Sequence, residues 1–126
     1  MYQIKRNHVV EDLQLEDNGK TLDVHVDLSI DAILQRYLTA AKNLTEAQRE
    51  LKKGSTEDRL RALGSSIIEL FRTIFGDEQT GQIIDFYGEA YTELLGDLAP
   101  FINDVIVPRI QEAQQRILDK YKSIQK

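Results

Sequence analysis

An α+β fold is what the sequence predicts: an N-terminal β-hairpin over residues 1–28, then a bundle of four or five α-helices over 29–126, in one domain. Three observations carry this reading. Apolar and polar residues alternate on either side of Asn18-Gly19, as in two strands joined by a tight turn. From Ile30 onward the apolar residues recur three and four apart, which is the helical period. Finally, Gly54, Gly76, Gly88 and the two prolines divide that helical region into segments of ordinary helix length.

The hairpin comes first. Val9 to Glu16 reads as a strand, with Leu13 and Leu15 alternating with Gln14 and Glu16. Asp17-Asn18-Gly19 supplies the turn, because Asn and Gly tolerate positive φ. On the return strand Leu22, Val24, Val26 and Leu28 share one face, and Asp23, His25 and Asp27 the other. A lone hairpin is marginal in water, so its apolar face must be covered by helices or by another subunit.

Ser29 is placed to cap the first helix, whose stripe runs Ile30, Ile33, Leu34, Tyr37, Leu38, Ala41, Leu44, Ala47 and Leu51 before Lys52-Lys53-Gly54 stops it. Ser55-Thr56-Glu57-Asp58 restarts helix. Its apolar face is Leu60, Leu63, Ile67, Ile68, Phe71, Ile74 and Phe75, and Gly64-Ser65-Ser66 suggests a close helix crossing. Asp77 then caps a short helix with Ile83, Ile84, Phe86 and Tyr87, ending near Gly88. A further series runs Tyr91, Leu94, Leu95 and Leu98. Ala99-Pro100 is expected to break or kink it, since the residue before proline avoids the α region. The last helix uses Phe101, Ile102, Val105, Ile106 and Ile110, with a bend expected at Pro108. Past Ile110 the stripe thins to Ala113, Ile117, Tyr121 and Ile124.

Composition narrows the function classes. At 126 residues with 41% hydrophobic and 29% charged residues, the chain can bury a core without metals or disulfides. It has no cysteine, hence no disulfide framework and no thiolate metal site. Met1 to Asp12 carries Lys5, Arg6, Glu11 and Asp12 with no apolar run, unlike a signal peptide, and no stretch approaches a membrane span. The expected location is the cytoplasm, with no membrane partner.

A net charge of −5 argues against nucleic acid as a partner. The charge is uneven, however. Gly76 to Pro108 holds Asp77, Glu78, Asp85, Glu89, Glu93, Asp97 and Asp104 and no Lys or Arg. From Arg109 on, Arg109, Arg116, Lys120, Lys122 and Lys126 outweigh Glu112 and Asp119. Such asymmetry suits head-to-tail self-contact or a partner of mixed charge.

No arrangement of catalytic groups stands out. His25, flanked by Asp23 and Asp27 on one strand face, is the one candidate for weak metal binding, and hence for a small metal-dependent enzyme or regulator; His8 has no neighbour of that kind. Ser65 and Ser66 lie in a helical stripe without a nucleophile elbow, and the glycines form no phosphate loop. Glu89, Glu93 and Asp97, four apart, form an acidic row without the histidines of a di-iron helix. No cofactor and no enzymatic activity are expected.

One stretch carries a resemblance. It reads Leu-Phe-Arg-Thr-Ile-Phe-Gly-Asp-Glu-Gln-Thr from Leu70, then Ile-Ile-Asp-Phe-Tyr-Gly, Leu-Leu-Gly-Asp-Leu-Ala-Pro-Phe-Ile and Val-Ile-Val-Pro-Arg-Ile. Together with the hairpin and its Gly-Lys turn, this order resembles the tail assembly chaperones of siphophages and prophages of Gram-positive bacteria. The resemblance implies a non-enzymatic, self-associating protein of the bacterial host cytoplasm. Such a protein covers a long helical tape measure protein during tail assembly, and other tail proteins are further partners. A structural connector or adaptor subunit of the tail is the neighbouring alternative. The surfaces such a role would use are the apolar hairpin face, Phe86, Tyr87 and Tyr91, and the C-terminal stripe of Ile110, Ile117, Tyr121 and Ile124.

Overall fold

The computed structural model describes residues 1–4 and 8–124. Lys5 and Arg6, cited above against a signal peptide, and Lys126, counted in the basic tail, lie outside the described residues. Strand β1 (His8–Asp17) and strand β2 (Lys20–Ser29) pair antiparallel, with Val9 opposite Leu28 and Asp17 opposite Lys20. The two residues between them, Asn18 at φ 51° and Gly19 at φ 84°, both take the left-handed conformation that a tight hairpin turn requires. The hairpin is the expected one, and its inner face buries Val9, Leu15, Val24, Val26 and Leu28.

Helix α1 (Ile30–Lys52) follows directly, with Ser29 at its N-cap position. It packs along α2 (Glu57–Phe75), which begins where the Thr56 hydroxyl accepts the Arg59 N–H at 3.2 Å. Helix α3 (Asp77–Phe86) starts from Gly76 as its N-cap, one residue before the expected Asp77. Strand β2 rests on α1, α2 and α3. Leu38 and Leu60, placed by periodicity on the apolar faces of α1 and α2, are exposed instead. Gly64 also departs from expectation. A Cβ there would meet nothing within 4 Å, so no close crossing requires it. Gly64→Ala is expected to stabilise the fold by about 0.5–1 kcal/mol, read as a melting temperature higher by about 3 °C.

The largest departure lies at Pro100. Helix α4 (Tyr91–Phe101) does not end there. It continues through one π-helical stretch, Ile102–Ile106, into α5 (Val107–Ile124), so that 91–124 is a single rod. Gly96, whose carbonyl would otherwise bond the missing Pro100 N–H, is exposed, so water can take the place of that lost bond. The π stretch also solves a geometric problem. Leu94, Leu98, Ile102, Ile106 and Ile110 are all buried and recur every four residues. At about 100° per residue each step of four overshoots a full turn by about 40°, so four such steps would swing the stripe off the core. The wide turn, closed by the Val107 N–H on the Ile102 carbonyl, takes back about one residue of rotation and keeps all five inward.

The hairpin and the rod are tied together by ions. Glu11 points inward, opposite Val26, on the face that buries the strands' apolar residues. Arg109 of α5 pairs with its carboxylate and also donates to the Val10 carbonyl at 3.0 Å. The charge on the apolar face is thereby neutralised, and β1 is clamped to α5.

Candidate functional site

The feature best suited to binding is an apolar groove of about 520 Å³ between α1 and α4. Tyr37, Ala41 and Leu44, with Thr45 and Gln48 at the rim, form one wall; Leu95, Gly96 and Ala99, with Thr92 and Asn103, form the other. Leu70 and Ile102 close the floor, so the bottom is the hydrophobic core itself. Three of the wall residues, Ala41, Gly96 and Ala99, are small. A Cβ on Gly96 would meet no atom of the chain within 4 Å, so its missing side chain leaves open space rather than serving internal packing. Small walls over an apolar floor allow the backbone of a third helix to approach closely. No local sequence signal marks this groove, because its residues come from the flanks of two stripes far apart in the chain. The four-residue recurrence from Leu94 to Ile110 is the signal that would have joined its far wall to the floor.

The expected binding residues divide. Ile110 is only 2% exposed and belongs to the core, as does its neighbour in the stripe, Ala113. Ile117 is half-buried against the core. Tyr121 and Ile124 are 57% and 79% exposed, and Leu118 beside them is 46% exposed. On a helical projection Ile117, Tyr121 and Ile124 lie on the same side as Ile110 and Ala113. The core-facing stripe of α5 thus runs past the end of the core and overhangs it.

Phe86 and Tyr87 are half-buried and lie edge to face, with ring centres 6.0 Å apart; Tyr91 opens α4. Phe86 and Tyr87 line a second, more polar cleft of about 460 Å³ against the tip of β1. There the Tyr87 hydroxyl donates to Asp97 at 2.9 Å. Its pKa is pushed up to about 12, first by burial, then by the bond to Asp97 and the charges of Asp97 and Glu93. The acidic row is shorter than expected. Glu89 has φ 66° and sits in the turn before α4, and only Glu93 and Asp97 share the helix face.

The histidines act across the strands rather than along them. The His25 Nδ1 bonds Asp12 at 2.7 Å, the residue directly opposite, and not Asp23 or Asp27. His8 bonds Asp27 at 2.6 Å. The backbone of His25 faces away from β1. Its N–H donates to Gln79 Oε1 at 2.7 Å, and its carbonyl accepts from Gln79 Nε2 at 2.6 Å, so α3 seals the β2 edge. Among the described residues no three His, Asp or Glu side chains converge as a metal site would need. Ser65 is exposed and Ser66 half-buried on α2.

The hydrogen bond to Asp12, then the charges of Asp12 and Asp27, raise the His25 pKa above its ordinary 6.5. The link to folding has a definite sign. This contact adds stability below about pH 6.5 and loses it as pH rises through the raised value. An NMR titration is expected to place His25 above 6.5 and to return it toward 6.5 in Asp12→Asn; an unchanged value in the variant would show that Asp12 is not the cause.

No helix among the described residues is long and apolar enough to cross a membrane. No protein-family model, curated protein or solved structure matches this chain.

Proposed function

We propose that this chain is a non-enzymatic assembly chaperone that holds an apolar helical segment of a longer partner, and that the partner is a phage tape measure protein. The observation that carries the reading is the α1–α4 groove, with small residues in both walls and core residues as its floor. Long helices with bare apolar stripes aggregate unless covered. A groove of this shape covers such a stripe by the helix-in-groove mode, with anchors three and four residues apart. A single groove about 520 Å³ in volume covers only a few turns, which suits a partner that must later be displaced. The tape measure identity rests on the pattern between Leu70 and Pro108 described above.

The test is affinity capture of the tagged protein from its native cells with any prophage induced, run in parallel with Gly96→Arg. Because Gly96 faces open space in a helix interior, that variant fills the groove without disturbing the fold. A long, helix-rich partner held by the parent and lost by the variant is the expected result. Recovery of the protein alone would instead favour a permanent, self-assembling subunit of the tail. Recovery of unrelated cellular proteins would end the proposal.

A further inference from the structure

The sheet has only two strands, so each strand pairs on one side and leaves the other open. In an antiparallel pair, alternate residues turn their backbone N–H and C=O toward the partner strand, and the residues between turn theirs outward. Two contacts fix which residues do so here. The His25 N–H and carbonyl leave β2 for Gln79, and the Val10 carbonyl leaves β1 for Arg109. Gln14 and Glu16 follow Val10 and Asp12 at even steps along β1, and Asp12 stands opposite His25. Their backbone groups therefore point away from β2 as well. Gln79 covers the β2 edge at His25, and Arg109 covers the β1 edge at Val10. Among the described residues no hydrogen bond from the rest of the chain reaches the backbone of Gln14 or Glu16.

The polar cleft of about 460 Å³ lies along this open stretch. Five consecutive residues of β1, Leu13 to Asp17, line it, and no residue of β2 does. Glu93, Asp97, Leu98 and Phe101 of α4 line it too, with Phe86 and Tyr87 from the end of α3. Five strand residues span about 14 Å, the length of a short added strand. The charged side chains in the lining are Glu16, Asp17, Glu93 and Asp97, all acidic and all exposed. The rings of Phe86, Tyr87 and Phe101 are half-buried against the core beside them. Lys20 stands at the hairpin tip opposite Asp17 but is not in the lining, and Arg109 is engaged by Glu11.

We infer that this cleft takes a short, extended, lysine- or arginine-rich segment of a partner protein as a third strand on β1. The bare backbone groups of Gln14 and Glu16 supply the ladder, as in strand addition to any open sheet edge. Long cationic side chains lay their stems on the three rings and set their heads against the carboxylates. The charges also say what does not bind. Two β1 edges pairing with each other would bring Asp12 and Glu16 of both copies onto one small sheet, where like charges across strands repel. The site is separate from the α1–α4 groove and does not depend on what fills it.

The probe is a blocked synthetic peptide alternating arginine with valine; one alternating glutamate with valine is the control. Each is titrated into the isotope-labelled full-length protein. The basic peptide is expected to slow amide-proton exchange at Gln14 and Glu16 by at least about tenfold. It is expected to bind at least about tenfold more tightly than the acidic one, and less tightly in high salt. Two variants separate the backbone from the charges. Gln14→Pro removes an outward N–H and leaves the ladder to β2 whole, since proline is tolerated on an open strand edge. Glu93→Gln with Asp97→Asn removes two exposed charges and keeps an acceptor for the Tyr87 hydroxyl. Each is expected to weaken the basic peptide by at least about fivefold with circular dichroism unchanged. If Gln14→Pro does not fold, the charge variant and the exchange measurement on the parent decide between them. No binding, equal binding of the two peptides, or binding that leaves the Gln14 and Glu16 amides exchanging freely would each overturn the inference. Protection of those amides in the concentrated protein alone would make a second copy the occupant and overturn it too.

Discussion

Replacing Val26 by aspartate is expected to lower the melting temperature by roughly 10–20 °C, or to leave little folded protein at room temperature. Val26 is 0% exposed and sits on the inner face of β2, where that strand meets the helices. A carboxylate there would stand beside that of Glu11, directly opposite, which already engages Arg109, so a second buried negative charge would be left without a cation of its own. An unpaired buried charge costs roughly 3–5 kcal/mol, against a total stability of roughly 5–15 kcal/mol for a domain of this kind. Val26→Ala, which leaves a small void and no charge, is the control; it should cost roughly half as much. Thermal unfolding followed by circular dichroism reads both. A melting temperature unchanged in Val26→Asp would mean that the inner hairpin face is open to water.

Phe71→Ala is expected to cost roughly 3–5 kcal/mol by removing a large side chain from the centre of the helical layer. Phe71 is 1% exposed and meets Phe75 edge to face at 5.4 Å; Phe75 in turn stacks on Phe101 at 6.4 Å. These three rings join α2 to the end of α4, just before the π stretch. Their loss should therefore also loosen the groove floor beside Leu70. Chemical denaturation gives the stability change, and binding of an apolar helical peptide to whatever folded fraction remains gives the groove effect. Phe71→Leu, which refills most of the volume, should recover much of both. A loss below about 1 kcal/mol in Phe71→Ala would place this ring outside the core.

Local signals were readable and tertiary ones were not. Asn18-Gly19 and the alternation from Leu22 to Leu28 specify the hairpin because turn chemistry and period two are properties of neighbours in sequence. Thr56 and Gly76 mark helix ends for the same reason. Glu11 was opaque. A carboxylate on an inward position looks like a break in the pattern until Arg109, 98 residues away, is seen beside it. Pro100 misled because the rule for the preceding residue describes local sterics. The alternative, a continued helix with a π turn, becomes favourable only when five residues from Leu94 to Ile110 have one core to face. The C-terminal stripe was visible, but where burial gives way to overhang depends on where the rest of the molecule ends beneath it. The groove could not be foreseen, because it is a space between α1 and α4 rather than a property of either.

The Arg109 clamp also sets the order in which the chain can become itself. Strand β2 finds its supports early, in α1, α2 and α3, but Glu11 of β1 gains its ionic partner only when residue 109 exists. From Ser29 to Arg109 is 80 residues (109 − 29), which takes roughly 4–16 s to synthesise at about 5–20 residues per second. Throughout that interval Glu11 stands on an apolar face without its cation, and β1 is tied to β2 by its ladder and by the His8–Asp27 and Asp12–His25 contacts. Helix α5 is thus the element that completes β1. A nascent chain halted before α5 would present an unfinished sheet, with half of its inner face looking for a cover.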